Sequence, residues 1–138
     1  MCSRWREAVG LVVLILAAAC GSSAPQPPPG SIVVDLKDSP YQVAIANTTL
    51  PAGSSTFFVR NAGTIAHDLT IIKTDLAPDK LPQEGGKAKE DGRVAGTKTL
   101  NPGQAETLTV TLQAGKYVFI CNEAGHYALG MHTQVIVQ

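Results

Sequence analysis

Charge is scarce in this sequence. Asp, Glu, Lys and Arg make up 16% of the 138 residues, and 11 bases against 11 acids leave a formal net charge of +0. Without a surplus of positive charge nothing points to a polyanion, so no nucleic acid partner is expected. Cysteine is equally sparse, with only Cys2, Cys20 and Cys121. Cys2 falls in a stretch with the marks of a leader, so the chain cannot be a disulfide scaffold. Histidine is limited to His67, His126 and His132, too few for two separate metal clusters. The longest apolar run, residues 8–19, is too short to cross a bilayer comfortably. The chain is long enough for one domain with a real core, but hardly for two.

What is present points to strands. Hydrophobic residues are 44% of the chain, with 13 Gly and 9 Pro to punctuate them. That composition suits an all-β globular domain with a flexible segment attached. The flexible segment lies at the N-terminus. Arg4 and Arg6 precede the apolar run, as in a secretory signal, so residues 1–19 are predicted to be a signal peptide. Leu16-Ala17-Ala18-Ala19-Cys20 resembles a bacterial lipobox, although Leu16 stands one place further from Cys20 than in the common box. Cys20 is therefore the expected lipid-attachment residue, and the protein is expected outside the cytoplasm, in the periplasm or at the cell surface. Ordinary cleavage near Ala19 remains the alternative. Two acyl chains would hold the protein stably on a membrane. The Ser/Pro/Gly-rich residues 20–30 would act as a linker, stiffened by their Pro run.

From Ser31 onward, alternating apolar residues mark strands. Ile32, Val34 and Leu36 form one set, and Tyr41, Val43 and Ile45 another, with Ser39-Pro40 between them. Further strands are predicted over residues 56–60, 65–73, 94–100, 107–112, 116–121 and 132–138, separated by turn signals such as Asn101-Pro102-Gly103. Residues 74–92 lose periodicity and gain Pro, Gly and charge, so they are expected to form a surface excursion with one helical turn near residues 78–81. About eight short strands with regular turns make an antiparallel β-sandwich over residues 31–138.

One loop carries the chemistry. Between two predicted strands, Cys121, His126 and Met131 stand at the spacing C-x4-H-x4-M. A thiolate, an imidazole and a thioether suit copper better than any hard cation. Cys with two His and a distant Met is the ligand set of a blue-copper electron-transfer site. The loop supplies three of these four groups, so a second His must come from elsewhere.

Tyr117-x-Phe119-x-Cys121, followed by Gly125-His126 and Gly130-Met131, resembles the cupredoxins, the type 1 blue copper proteins. Within the plastocyanin- and azurin-like members, the spacing is most similar to the rusticyanin and sulfocyanin branch. The resemblance spans residues 31–138. It implies a Greek-key strand order, one type 1 copper ion, and His67 as the first ligand in the context Asn61-x-Gly63-x-x-x-His67. It also implies that the Asp68 backbone N–H donates to the Cys121 sulfur. The Asp68 side chain stands where many cupredoxins have Asn or Ser.

Strand parity supports the choice of His67. Residues i and i+2 share a face, which places His67 with Ile65, Leu69 and Ile71, and Met131 with Val135 and Val137. His132 falls on the opposite, more polar face of its strand. Each residue has a plainer alternative: a buried inert thiol for Cys121, a satisfied core histidine for His67, core filling for Met131, and a solvated carboxylate for Asp68.

The expected function is one-electron transfer between protein redox partners by a monomer tethered to a membrane. Copper delivery or storage is the alternative, and a metal-free sandwich lipoprotein is a third. A catalytic metal needs an open coordination position. Four protein ligands leave none, so an enzyme is not expected. The chain lacks a C-x3-C, which by the same resemblance excludes a binuclear oxidase-type centre.

Overall fold

A computed structural model describes residues 24–138; the predicted leader and Cys20 lie outside the described residues. Residues 24–30 are exposed and form no strand. The domain begins with β1 (Ile32–Asp38), β2 (Tyr41–Ile45), β3 (Thr49–Leu50), β4 (Gly53–Asn61) and β5 (Thr70–Lys73). It continues with β6 (Gln83–Glu84), β7 (Lys87–Ala88), β8 (Arg93–Gly96), β9 (Ala105–Leu112), β10 (Gly115–Ile120) and β11 (His132–Val137).

Two sheets face each other, one in the order β2-β1-β4-β9 and the other in the order β3-β11-β10-β5-β8, while β6 and β7 pair as a separate hairpin. Alternation in the sequence decides which side chains enter the space between them. Val34 and Leu36 of β1 are buried and Val33 is exposed; Phe57 and Val59 follow from β4. Ile71, Tyr117, Phe119 and Val135 meet them from the other sheet. Phe57 and Phe119 pack edge to face across the sandwich with ring centroids 5.4 Å apart. Burying each such side chain contributes about 1.5–3 kcal/mol.

The outer face of the five-stranded sheet is also covered. Ile72, Val118 and Ile120 point away from the main core and pack with Leu81, Ala88 and Tyr127. The excursion after β5 therefore folds back over the sheet and against the loop between β10 and β11.

The fold is the expected all-β sandwich, with four departures from the predicted elements, one being that the strand predicted over residues 94–100 ends at Gly96 as β8. The sheets are mixed: β1 lies parallel to β4, and β3 parallel to β11. The predicted strand over residues 65–73 shortens to β5. Before Thr70 only His67 makes a bridge, to Leu100. The reason is capture of backbone donors: Asp68 N–H donates to the Cys121 sulfur and Leu69 N–H to Thr97 Oγ1, so neither joins a ladder. Finally, the expected helical turn near residues 78–81 is one Lys80 N–H to Ala77 C=O bond, and Pro82 follows with no N–H to extend it.

Candidate metal centre

The centre forms where β10 runs out. Tyr117, Phe119 and Cys121 take successive positions on one face and are all buried. The chain then winds through a tight loop. His126 N–H donates to Glu123 C=O, Gly130 N–H to Tyr127 C=O and Met131 N–H to His126 C=O, at 3.0, 3.0 and 3.1 Å. Gly130 has φ +104°, a left-handed value that a side chain would strain, so glycine is needed at this reversal. Cys121 N–H donates to Met131 C=O at 3.0 Å and closes the loop on itself. That bond continues the β10–β11 ladder, whose last pair is Ile120 with His132.

His67 arrives from the other side. Its backbone exchanges two hydrogen bonds with Leu100, at 3.1 and 2.7 Å, which fixes the residue although it lies outside a regular strand. The expected face is correct: His67 is fully buried. Ile65, predicted to share it, is 40% exposed because the ladder does not extend that far.

Three donor atoms then converge. His67 Nδ1 and His126 Nδ1 are 3.1 Å apart, and the Cys121 sulfur lies 3.7 Å from the first and 3.4 Å from the second. His67 and Cys121 are buried and His126 is half-buried. Met131 is fully buried in the same core cluster as Cys121. A thiol and two imidazoles aimed at one point, with no carboxylate among them, fit a soft or borderline ion such as copper and not a hard cation.

Burial governs the electrostatics. The Cys121 thiol is pushed up to about 12, mainly by its removal from water, with the Asp68 and Glu123 N–H groups pulling the other way. Burial also lowers the His67 pKa. The His126 charge adds to that, and Asp38 opposes it. A histidine held neutral is in its metal-binding form. The Cys121 proton must leave when a metal binds.

Asp68 contacts the ligand loop twice. Its N–H lies 3.4 Å from Cys121 Sγ, and its carboxylate accepts the Asn122 N–H at 2.6 Å. The side chain is not freely solvated, and burial raises its pKa. His132 takes no part in the cluster. Its ring packs 5.3 Å from that of Tyr127, on the other face, as parity predicts.

Sequence reasoning missed several residues at this centre. Tyr41 places its ring 5.2 Å from that of His126. Asp38 approaches the far side of the His67 ring. Asn122 and Tyr127 tie the loop to residues 78–90. Tyr127 could have been noticed as a large aromatic inside a loop of small residues. Asp38 carried no such signal.

Comparison with known proteins agrees with this chemistry. A family described as copper binding proteins, plastocyanin/azurin family, matches residues 31–138. Reduced auracyanin from the photosynthetic bacterium Roseiflexus castenholzii is 26% identical, with a TM-score of 0.57 over 79% of this chain and 97% of that one. Rusticyanin from Thiobacillus ferrooxidans is 22% identical, with a TM-score of 0.60 over 78% of this chain and 76% of that one, a likeness of fold. Auracyanin A from Chloroflexus aurantiacus, a "blue" copper protein, is 22% identical, with a TM-score of 0.54 over 79% and 100% of the two chains. No curated protein matches at the level of sequence. Since the family match runs from the residue before β1 to the C-terminus and encloses the sulfur–imidazole cluster, the chain belongs to the plastocyanin/azurin family of copper binding proteins, as a cupredoxin whose cofactor is one type 1 copper ion and whose general work is electron transfer.

Proposed function

We propose that His67, Cys121, His126 and Met131 hold the copper ion, and that the protein carries single electrons between redox proteins outside the cytoplasm. The observation that carries this reading is the convergence of two Nδ1 atoms and one sulfur, all within 4.8 Å of one another. When bound, copper supplies a one-electron couple. The chain supplies the rest. Cys121 gives up its proton and binds as thiolate. Asp68 N–H donates to that sulfur and tempers its charge. The Cys121–Met131 backbone bond and the His67–Leu100 pair hold the donors from two sides, which limits how far they move between oxidation states. Met131, at the loop's end and buried in the same core cluster as Cys121, would supply the fourth donor.

Burial favours a carrier over a delivery or storage protein. His67, Cys121 and Met131 are fully buried, and only His126 among the four reaches the surface. An ion held this way exchanges slowly with other chelators, whereas an electron can leave through the imidazole edge. Leu129, on the same loop and 58% exposed, adds apolar surface for docking a redox protein.

Residues 1–19 as a signal peptide, Cys20 as the lipid-bearing residue and residues 20–30 as the tether complete the proposal, with the domain working as a membrane-anchored monomer. Titration of the purified protein with Cu(II) tests the centre. An intense blue or green colour with narrow copper hyperfine splitting is expected, and Cys121→Ser should abolish it. A folded, reduced sample that stays colourless would reject the centre. Labelling with a fatty acid in a bacterial host, lost in Cys20→Ser, tests the anchor.

A further inference from the structure

We infer that Asp38 is a positioning residue for the centre: its carboxylate selects the tautomer of His67 with the proton on Nε2 and biases the bound copper toward the cupric state. This deepens the copper reading and rests on it, since Asp38 acts through a proposed ligand.

Three observations carry the inference. First, among the described residues, His67 Nε2 is the one buried side-chain nitrogen or oxygen without a hydrogen-bond partner. Its ring is fully buried, with Nδ1 turned to Cys121 and His126. Second, the nearest acidic oxygen to Nε2 is Asp38 Oδ2, at 3.7 Å. That oxygen is held in place by Thr64 N–H at 2.7 Å, Thr64 Oγ1 at 2.9 Å and Ile65 N–H at 3.0 Å. Third, nothing stands between the two groups because residue 63 is glycine. A Cβ on Gly63 would come within 2.8 Å of His67 Nε2 and 3.0 Å of Asp38 Oδ2.

The separation is longer than a hydrogen bond, but an anion at this range still distinguishes the two tautomers. With the proton on Nε2, the positive end of the N–H dipole faces the carboxylate. With the proton on Nδ1, a lone pair would face it. The first arrangement leaves the Nδ1 lone pair free for a metal. A carboxylate behind a ligating imidazole also raises its basicity, and removing such a group typically costs ten- to a hundredfold in metal affinity. A fixed negative charge stabilises the doubly charged ion more than the singly charged one. Asp38 therefore lowers the reduction potential.

The test uses the full chain and two variants. Asp38→Asn keeps an oxygen for the Thr64 and Ile65 donors and removes the charge. Thr64→Val keeps the charge and removes one hydroxyl contact. In Asp38→Asn, cupric affinity should fall about tenfold relative to cuprous affinity, read as a rise of about 59 mV for a one-electron couple. Thr64→Val should leave the potential within about twofold, or about 18 mV. An unmoved potential in Asp38→Asn, or an equal rise in both variants, would overturn the inference. Nitrogen-15 spectra of the parent supply an arm that needs neither copper nor a folded variant. The His67 ring of the metal-free chain should carry its proton on Nε2, and finding it on Nδ1 would overturn the assignment. Failure of the copper reading looks different: the parent itself would take up Cu(II) without colour, and the tautomer would still decide the role of Asp38.

Discussion

Asn122 and Ala88 pair through two hydrogen bonds, with Ala88 N–H donating to Asn122 Oδ1 at 2.8 Å and Asn122 Nδ2 donating to Ala88 C=O at 3.0 Å. Asn122 is the residue after the ligand sulfur, and Ala88 belongs to the excursion that follows β5. The two segments meet again where Gly125 N–H donates to Gly86 C=O at 2.8 Å. They meet a third time at Tyr127, whose hydroxyl donates to Pro78 C=O and accepts from Leu81 N–H. Residues 78–90 thus form a strap across the ligand loop.

Tyr127→Phe removes the hydroxyl and leaves the buried Leu81 N–H without its acceptor. The expected cost is about 1–3 kcal/mol. Thermal unfolding should show it, and amide exchange over residues 122–130 should quicken while the fold persists. Unchanged exchange in the loop would mean that the strap does not restrain it.

Leu129→Glu should slow electron exchange with a redox partner and leave the copper spectrum as it was. Leu129 is exposed and is not one of the clustered donor residues, so its substitution alters the surface and leaves the donors in place. Stopped-flow mixing with a partner measures the rate. An unchanged rate places the electron's exit elsewhere.

Asp68→Asn should raise the reduction potential by less than about 59 mV, a change below tenfold in relative affinity. The carboxylate lies beside the thiolate through Asn122, and its charge favours the cupric ion. The Asp68 N–H bond to sulfur is a backbone contact and survives the substitution. A potential identical to the parent's would remove the side chain from the mechanism.

The metal-free protein should weaken in alkali. Burial raises the Cys121 pKa in the folded state from the ordinary 9.0 to about 12. Between those values the unfolded chain sheds the proton and the folded chain keeps it. This contribution to stability is whole below the unfolded pKa and is lost as pH rises toward 12, at about 1.4 kcal/mol per pH unit. Denaturant melts of the parent and Cys121→Ser from pH 8 to 11 should diverge accordingly. With copper bound the thiolate is already formed, so that loss should vanish. Parallel slopes for parent and variant would place the alkaline sensitivity in other groups.

Legibility in the sequence differs from residue to residue. Cys121, His126 and Met131 could be named because their chemistry is local: three donor types within eleven positions, flanked by alternating apolar residues, suit a soft metal ion and little else. His67 could be named from its face, since it shares the buried side with Leu69 although the same parity fails at Ile65. The Asp68 N–H bond to sulfur is implied by the family resemblance and is present, but the rest of the outcome at residues 65–69 was hidden for a physical reason. Periodicity reports which face is apolar, but not whether backbone N–H groups will find a strand, a threonine hydroxyl or a sulfur.

The sequence by itself determined that short apolar-alternating strands would form a sandwich and that one loop would carry soft donors, because both follow from neighbours along the chain. Tertiary structure alone decided which distant groups meet those donors. Asp38 behind His67, the Asp68 carboxylate against the Asn122 N–H and the strap over Asn122 and Tyr127 each join residues more than 25 positions apart. Their meeting depends on how the two sheets stack and where the excursion returns. No local pattern encodes that, because the free energy that selects it comes from the closed core as a whole.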